Sequence, residues 1–314
     1  MADIPIFDRD AVLAAVSPLE AIDRVRQGFV EYASGEWSMP PKVYLDVPNG
    51  DFRAMPARGG GIAILKWATS FIDNPARGLP VVQGLICVSD EASGSVRALV
   101  DVGAVTALRT GAVAAVAAQE LAREDARTVG IVGCGLHGSW AARCLGAAEY
   151  GPGICFDPNP EAAGSLAGEM GWEAGAREDA VACDVVTCVT PGSQPVVRAG
   201  EVHSGTHLSM LGADGPGKAE AEIEVVESAR LFCDEWAQAS HGGELTGALE
   251  AGRITREQVT ELGAVLTGAE EGRSSDDETT LFDSTGLAIQ DVAICLAVLE
   301  AGDAGTVKPG RARL

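Results

Sequence analysis

The chain has only four lysines among its 314 residues, Lys42, Lys66, Lys218 and Lys308. It has no Cys-x-x-Cys pair, no His-Glu-x-x-His run and no long block of one charge. Without Cys-x-x-Cys the usual zinc-ribbon and thioredoxin spacings are excluded. The eight cysteines, mostly in apolar settings such as GICFD and VVTCVT, are expected to be reduced core residues. The four histidines (His137, His203, His207 and His241) show no ligand spacing, so no metal is expected. Arg109 and Asp291 break the longest apolar runs before the ~20 residues that span a bilayer. The start, MADIPIFDRD, is acidic and lacks the apolar stretch of a signal peptide. A cytoplasmic protein without membrane partners is the expectation. A net charge of −22 repels nucleic acid as well. With basic residues that are nearly all arginine, this acidity suggests a protein kept soluble in high salt, hence a halophilic source.

What is present is 46% hydrophobic, enough for a sizeable core and a prior of about two domains. Residues 10–34 carry apolar side chains at helical spacing and end at a glycine. Between 41 and 107 the short runs KVYLDV, DFRAMPA, GIAILKWA, LPVVQGLICVSD and VRALVD predict an antiparallel or mixed sheet. VTALRTGAVAAVAAQELA, 105–122, predicts a long helix. From 128 the rhythm becomes βαβ, with strands expected at 127–133, 153–157, 184–190, 206–213 and 230–235. That alternation predicts an α/β fold with a Rossmann-type, doubly wound parallel sheet. The tail 284–302 predicts one more helix.

GIVGCGLHGSWAARC carries Gly-x-Gly-x-x-Gly as Gly133, Gly135 and Gly138, after an apolar strand and at the start of a helix, which is the dinucleotide-binding context. Gly133 would make the tight turn, Gly135 would let backbone approach a pyrophosphate, and Gly138 would allow close packing. The next strand ends at Asp157, whose carboxylate suits ribose hydroxyls and repels a 2′-phosphate. No Arg or Lys lies between Asp157 and Arg177, so NAD is favoured over NADP.

Ligands in such sheets sit beyond the C-terminal strand ends. DVVTCVT-PGSQP places Thr187, Thr190 and Pro191 there, and THLSMLGA-DGPGK places Asp214. On local sequence alone Asp214 is equally a turn aspartate, and Lys66, in GIAILKWA, is equally a strand lysine that snorkels.

The run MPPKVYLDVPNGDFRAMPA…LKW…NPARGLP…ALRTGAVAAVAAQELA…GIVGCGLHG…GADGPGKAE…FDSTGLAIQD resembles the ornithine cyclodeaminase/mu-crystallin family over about residues 38 to 300. Within it the chain is most similar to the archaeal-type alanine dehydrogenases. The resemblance implies hydride transfer between NAD and the Cα of an amino acid, through an imine. It implies that Lys66 contacts the substrate carboxyl or carbonyl and assists proton transfer, that Asp214 handles protons on the amine or the attacking water, and that Arg109 approaches substrate and cofactor. Thr110 and Gly111 resemble a helix start that touches the cofactor, and Ser284 and Gly286 the loop beside the nicotinamide. Burial among Ile62, Ile64 and Leu65 would lower the Lys66 pKa and poise it for acid/base work.

Arg53, in GDFRAMPA, stands where the alanine dehydrogenases carry arginine and where the cyclodeaminases carry an acidic residue. A guanidinium forks a carboxylate and repels a cationic side chain. Lys42 would add a second positive charge. Departures from the family pattern are Lys42 itself, Val81 and Gly138. The implied activity is reversible oxidative deamination of a small neutral amino acid such as L-alanine. Ornithine cyclisation and imine or ketimine reduction are the alternatives. The implied architecture is a discontinuous α+β substrate and dimerisation domain, 1–115 completed by 288–314, around a nucleotide domain, 116–287. A homodimer is expected.

Overall fold

A computed structural model describes residues 3–192, 194–215 and 217–313. The chain divides into two units, Met1–Arg109 with Ala288–Leu314, and Thr110–Leu287. Ser193 and Pro216, within two of the strand-end motifs, lie outside the described residues.

The first unit begins with β1 (Asp3–Phe7), α1 (Arg9–Ala15) and α2 (Pro18–Ala33). The single helix expected over 10–34 is therefore two. Pro18 disfavours helical backbone at Ser17 but suits the first position of a new helix, where no N–H is needed. Ser17 caps that helix by accepting from Glu20 N at 3.2 Å. Strands β2 (Val43–Val47), β3 (Gly50–Gly59), β4 (Ile62–Ser70), β5 (Val82–Asp90) and β6 (Val96–Asp101) follow as antiparallel neighbours. Helix α3 (Val102–Leu121) carries the chain into the second unit. By length and composition α3 could cross a membrane, but 83% of its apolar window is buried inside the protein.

The second unit runs β7 (Val129–Val132), α4 (Leu136–Ala147), β8 (Gly153–Phe156), α5 (Pro160–Met170), β9 (Glu173–Ala174), α6 (Arg177–Val181) and β10 (Val185–Cys188). It continues with β11 (His207–Met210), α7 (Ile223–Ser228), β12 (Arg230–Cys233), α8 (Trp236–Gly242), α9 (Thr246–Glu250), β13 (Val259–Glu261), α10 (Leu262–Leu266) and β14 (Thr280–Asp283). Its eight strands form one parallel sheet in the order β13-β12-β14-β11-β10-β7-β8-β9. Fully buried runs such as VGIV and VVTC are what a sheet covered on both faces requires. The winding direction reverses between β7 and β10, the position at which such sheets bind ligands. Strand β14, which the sequence did not announce, sits between β12 and β11.

The chain returns to the first unit as α11 (Ala288–Asp303) and β15 (Gly310–Arg313). The helix expected from 284 begins four residues later, because Gly286 adopts φ +78° in the preceding loop. The sheet order here is β15-β1-β6-β5-β4-β3-β2, mixed because β1 runs parallel to β6. One face is buried, with α11 packed on β3 and β4. The opposite face leaves Val43, Leu45, Leu65, Trp67 and Leu85 exposed. Val43, Ala54, Trp67 and Leu85 are successive cross-strand neighbours, so this is a continuous apolar patch.

Candidate active site

Lys66 lies on the inner face of β4, 3% exposed. Its neighbours on that face are Ile64 and Ala68 along the strand, and Met55 and Ile86 on the flanking strands. Leu65 is a correction to the expected surroundings. It alternates to the opposite face and is 46% exposed, because successive strand side chains point to opposite sides. The Lys66 ammonium donates to Asp291 Oδ1 at 2.7 Å and to Thr106 Oγ1 at 2.8 Å. Burial pulls its pKa below the ordinary lysine range, Asp291 draws it back up, and Arg109 pushes it down again. Lys66 therefore holds its proton less firmly than a surface lysine, with a carboxylate in direct contact.

Arg109 is half-buried on α3, and its Nη1 donates to Gln290 Oε1 at 3.4 Å. Arg53 is only 12% exposed and its guanidinium is forked onto Asp51, with Nε to Oδ1 at 2.6 Å and Nη2 to Oδ2 at 3.1 Å. It also stacks over Tyr44 at 5.5 Å. A substrate carboxylate at Arg53 would share that guanidinium with Asp51. Lys42 is half-buried immediately before β2.

In the second unit the glycine loop joins β7 to α4. Gly133 has φ +99°, and a Cβ there would lie 2.6 Å from Val189 O. A Cβ on Gly138 would lie 1.8 Å from Gly133 O, so only glycine lets α4 start this close to the strand. A Cβ on Gly135 would meet nothing within 4 Å. That open side faces away from protein, as a ligand-approach position should. The N-terminus of α4 has no side-chain cap, leaving N–H donors of the first turn for an anion. Asp157 follows β8 and accepts from Cys134 N and Asn159 N, each at 2.8 Å. It thus fixes the glycine loop as well as ending the strand that would meet a ribose.

Thr110 and Gly111 do not begin a helix. They lie in the middle of α3, because the apolar pattern extends N-terminally to Val102. A Cβ on Gly111 would come 2.4 Å from Trp140 O, so Gly111 lets α3 pack closely on α4. Thr187 is fully buried inside β10 rather than at its end. Thr190 and Pro191 do follow β10. The hydroxyls of Thr110 and Thr187 are buried and lack hydrogen-bond partners, while that of Thr190 faces Glu220. The open side of Gly135 and the uncapped N-terminus of α4 fit a bound dinucleotide. Asp214 follows β11 and pairs with Lys218 at 2.5 Å, one helical turn away in sequence, while keeping 30% of its side chain exposed. Ser284 and Gly286 follow β14 and both donate to Asp234 Oδ2, at 3.2 and 2.8 Å.

Sequence reasoning missed Asp291. It is fully buried in α11, and its second oxygen, Oδ2, has no hydrogen-bond partner. The signal was available: a carboxylate in the buried, mostly apolar run of α11 needs a buried partner. It also missed Glu220, Asp234, Glu244 and Asp283, which are buried around the strand ends of the second unit. Among the described residues no group of three or more His, Cys, Asp or Glu is arranged to hold a metal ion.

The chain is 41% identical over 302 residues to an alanine dehydrogenase of Archaeoglobus fulgidus, covering 94% of each chain. A solved archaeal alanine dehydrogenase dimer with bound NAD superimposes with a TM-score of 0.95 at 38% identity, covering the whole of both chains. The Δ(1)-pyrroline-2-carboxylate reductase of Thermococcus litoralis, solved with NADH and L-proline, superimposes at 0.93 with 26% identity, over 98% of this chain and 100% of that one. A family match spans residues 7–305: the chain belongs to the ornithine cyclodeaminase/mu-crystallin family.

Proposed function

We propose that the protein is an NAD-dependent dehydrogenase that converts L-alanine, NAD and water to pyruvate, ammonia and NADH, and runs in reverse. The observation that carries the reading is Lys66, a buried ammonium in an apolar strand whose pKa is lowered and which touches a carboxylate. Its strength comes from the similarity over 94% of the chain to a known alanine dehydrogenase. Gly133, Gly135, Gly138, Asp157, Thr190, Ser284 and Gly286 would hold the dinucleotide. When bound, NAD supplies the acceptor for the Cα hydride.

The chain's own groups do the rest. Arg53, Lys42 and Arg109 bring positive charge to the substrate carboxylate. An arginine at position 53, where the resemblance puts an acidic residue in the cyclodeaminases, favours a small neutral amino acid over ornithine. Lys66 donates a hydrogen bond to the carbonyl oxygen and passes a proton to or from it. Asp214 takes the proton of the water that adds to the imine.

The direct test follows NADH absorbance with NAD and L-alanine, in dilute and in molar salt. A rising signal establishes the activity, and a greater rate in molar salt supports the halophilic reading. A flat trace in both, with ammonia released from L-ornithine, would move the protein to the cyclodeaminases. The exposed apolar face of the first unit is proposed as the homodimer interface. Trp67→Glu with Leu65→Lys should then sediment as a monomer. A dimer that survives both changes would place the interface elsewhere.

A further inference from the structure

Four carboxylates of the second unit, Glu220, Asp234, Glu244 and Asp283, are at most 4% exposed. They occupy one region because of the sheet order. Strands β10, β11, β14 and β12 are adjacent, and the residues these carboxylates bind lie beyond their C-terminal ends. Glu220 accepts from Thr190 N at 2.6 Å and Gly212 N at 2.7 Å, which ties the loop after β10 to the loop after β11. Asp234 accepts from Gly286 N at 2.8 Å and from the Ser284 and Thr285 hydroxyls at 3.2 and 3.3 Å, which ties down the loop after β14. Glu244 accepts from the backbone of Glu220 at 2.9 Å and Ala221 at 2.7 Å, and Asp283 from Leu245 N at 3.2 Å.

Two glycines make room for these groups. A Cβ on Gly212 would lie 2.6 Å from Glu220 Oε1, and one on Gly243 would lie 2.2 Å from Asp283 Oδ2. Burying a carboxylate is costly, and a bridging water could tie two loops together at lower cost. Several such groups at the ligand end of one sheet break the ordinary rule of core composition at the place where function breaks it.

We infer that Glu220 and Asp234 are positioning residues for the dinucleotide, holding the Thr190, Gly212–Asp214 and Ser284–Gly286 loops at the spacing the bound cofactor requires. The inference rests on the cofactor reading above. Glu220 matches its role in detail. Each of its oxygens takes a different loop's N–H, so the carboxylate spans a gap that neither loop closes alone. Replacing it by Gln turns one oxygen into an NH2 that must face an N–H donor, and one loop is pushed away.

Proton occupancy follows from the same packing. Burial pushes Glu220 up to about 7 and Glu244 up to about 8, and Asp283 stands well above the usual carboxylate range. The groups facing them are one another, Asp234, and the Cys188 and Cys233 thiols, with Arg177 acting on Cys188 and Arg256 and Glu261 on Cys233. As pH rises through 7 to 8 the cluster gains negative charge under the loops that would carry an anionic cofactor.

The test is NADH affinity, read by energy transfer from tryptophan, for the full-length wild type and Glu220→Gln. The variant should bind NADH at least about tenfold more weakly, the loss of one hydrogen bond to a charged acceptor. Its KM for NAD should rise in step. A folded variant with wild-type affinity and KM overturns the inference. If Glu220→Gln does not fold, Asp234→Asn decides by the same readouts: weaker NADH binding with a matching rise in KM supports the role, and a folded variant with wild-type affinity and KM overturns it. A wild type that binds no NADH at any pH removes the cofactor reading itself, and this inference with it.

Discussion

The two units bury charge in opposite ways. In the first, the single buried lysine meets a buried aspartate at 2.7 Å, and each compensates the other. In the second, buried carboxylates are held by backbone N–H groups and by one another. A pair keeps both charges in a dry site and places a mobile proton between them. A carboxylate cluster can persist only by staying partly protonated, which suits it to hold loops rather than to exchange protons with substrate. The difference suits the first arrangement to the proposed chemistry and the second to positioning.

Breaking the pair should produce the largest effect. Lys66→Ala is expected to lower kcat by about 10²–10⁴-fold, the range for removing a general acid or base, while NADH still binds. It also strands the Asp291 carboxylate, at about 3–5 kcal/mol of stability. The double variant Lys66→Met, Asp291→Leu removes both charges and should regain most of that stability with no activity. A near-wild-type kcat in either variant, measured by NADH formation, would sink the catalytic role of Lys66. Asp291→Asn sits between them. Asp291 raises the Lys66 pKa, so its loss should move the basic limb of the pH–rate profile to lower pH. A profile with an unmoved basic limb would show that Asp291 does not act through Lys66.

The carboxylate cluster should show the opposite sign in stability. Glu220 rises from 4.5 unfolded to about 7 folded, so the folded state holds its proton more tightly. The stabilisation is fully present below about pH 4.5 and is lost as pH climbs through about 7, about 3 kcal/mol from this group. Glu244 extends the window to about pH 8. Lys66 is depressed instead, so its contribution grows as pH rises towards the unfolded lysine value. Thermal melts between pH 5 and 8 should therefore show a falling midpoint, flattened in Glu244→Gln. Glu244→Gln should cost little at pH 8, where removing one member of the lysine pair costs most. A Glu244→Gln protein whose midpoint falls as steeply as the wild type would mean that Glu244 does not carry the dependence.

How legible each region was follows from the same contrast. The glycine loop, the parallel strands and Lys66 could be read because each breaks a local pattern: glycine at fixed spacing, or a charge in an apolar run. Asp291 broke the pattern of α11 as plainly, yet its partner is 225 residues away, and no local rule joins them. Glu220 and Glu244 were hidden because KAEAE and GGEL look like solvent-facing sequence. Only the crossover order of the sheet brings Glu220 under Thr190 and Gly212, with Glu244 behind its backbone. Leu65 was misassigned because a residue beside Lys66 in sequence is on the other face of the strand. Ser17-Pro18 had announced a helix break that the apolar periodicity masked.

The smallest effect should come from Arg53, which belongs to neither arrangement. Its guanidinium is forked onto Asp51, with side chains 12% and 20% exposed, so the pair is sheltered but not dry. Such pairs contribute about 1 kcal/mol or less when water reaches them. Asp51→Asn should release the guanidinium for a substrate carboxylate and lower the KM for L-alanine by up to about fivefold, the equivalent of that 1 kcal/mol. Arg53→Lys should raise the KM instead, because an ammonium cannot fork a carboxylate. In both variants kcat should hold, since the contact is made equally to substrate and transition state. A KM that is unchanged in both would remove Arg53 from the substrate site. The choice of a small neutral amino acid would then have to be set elsewhere in the first unit, with Lys42 the next cation to replace.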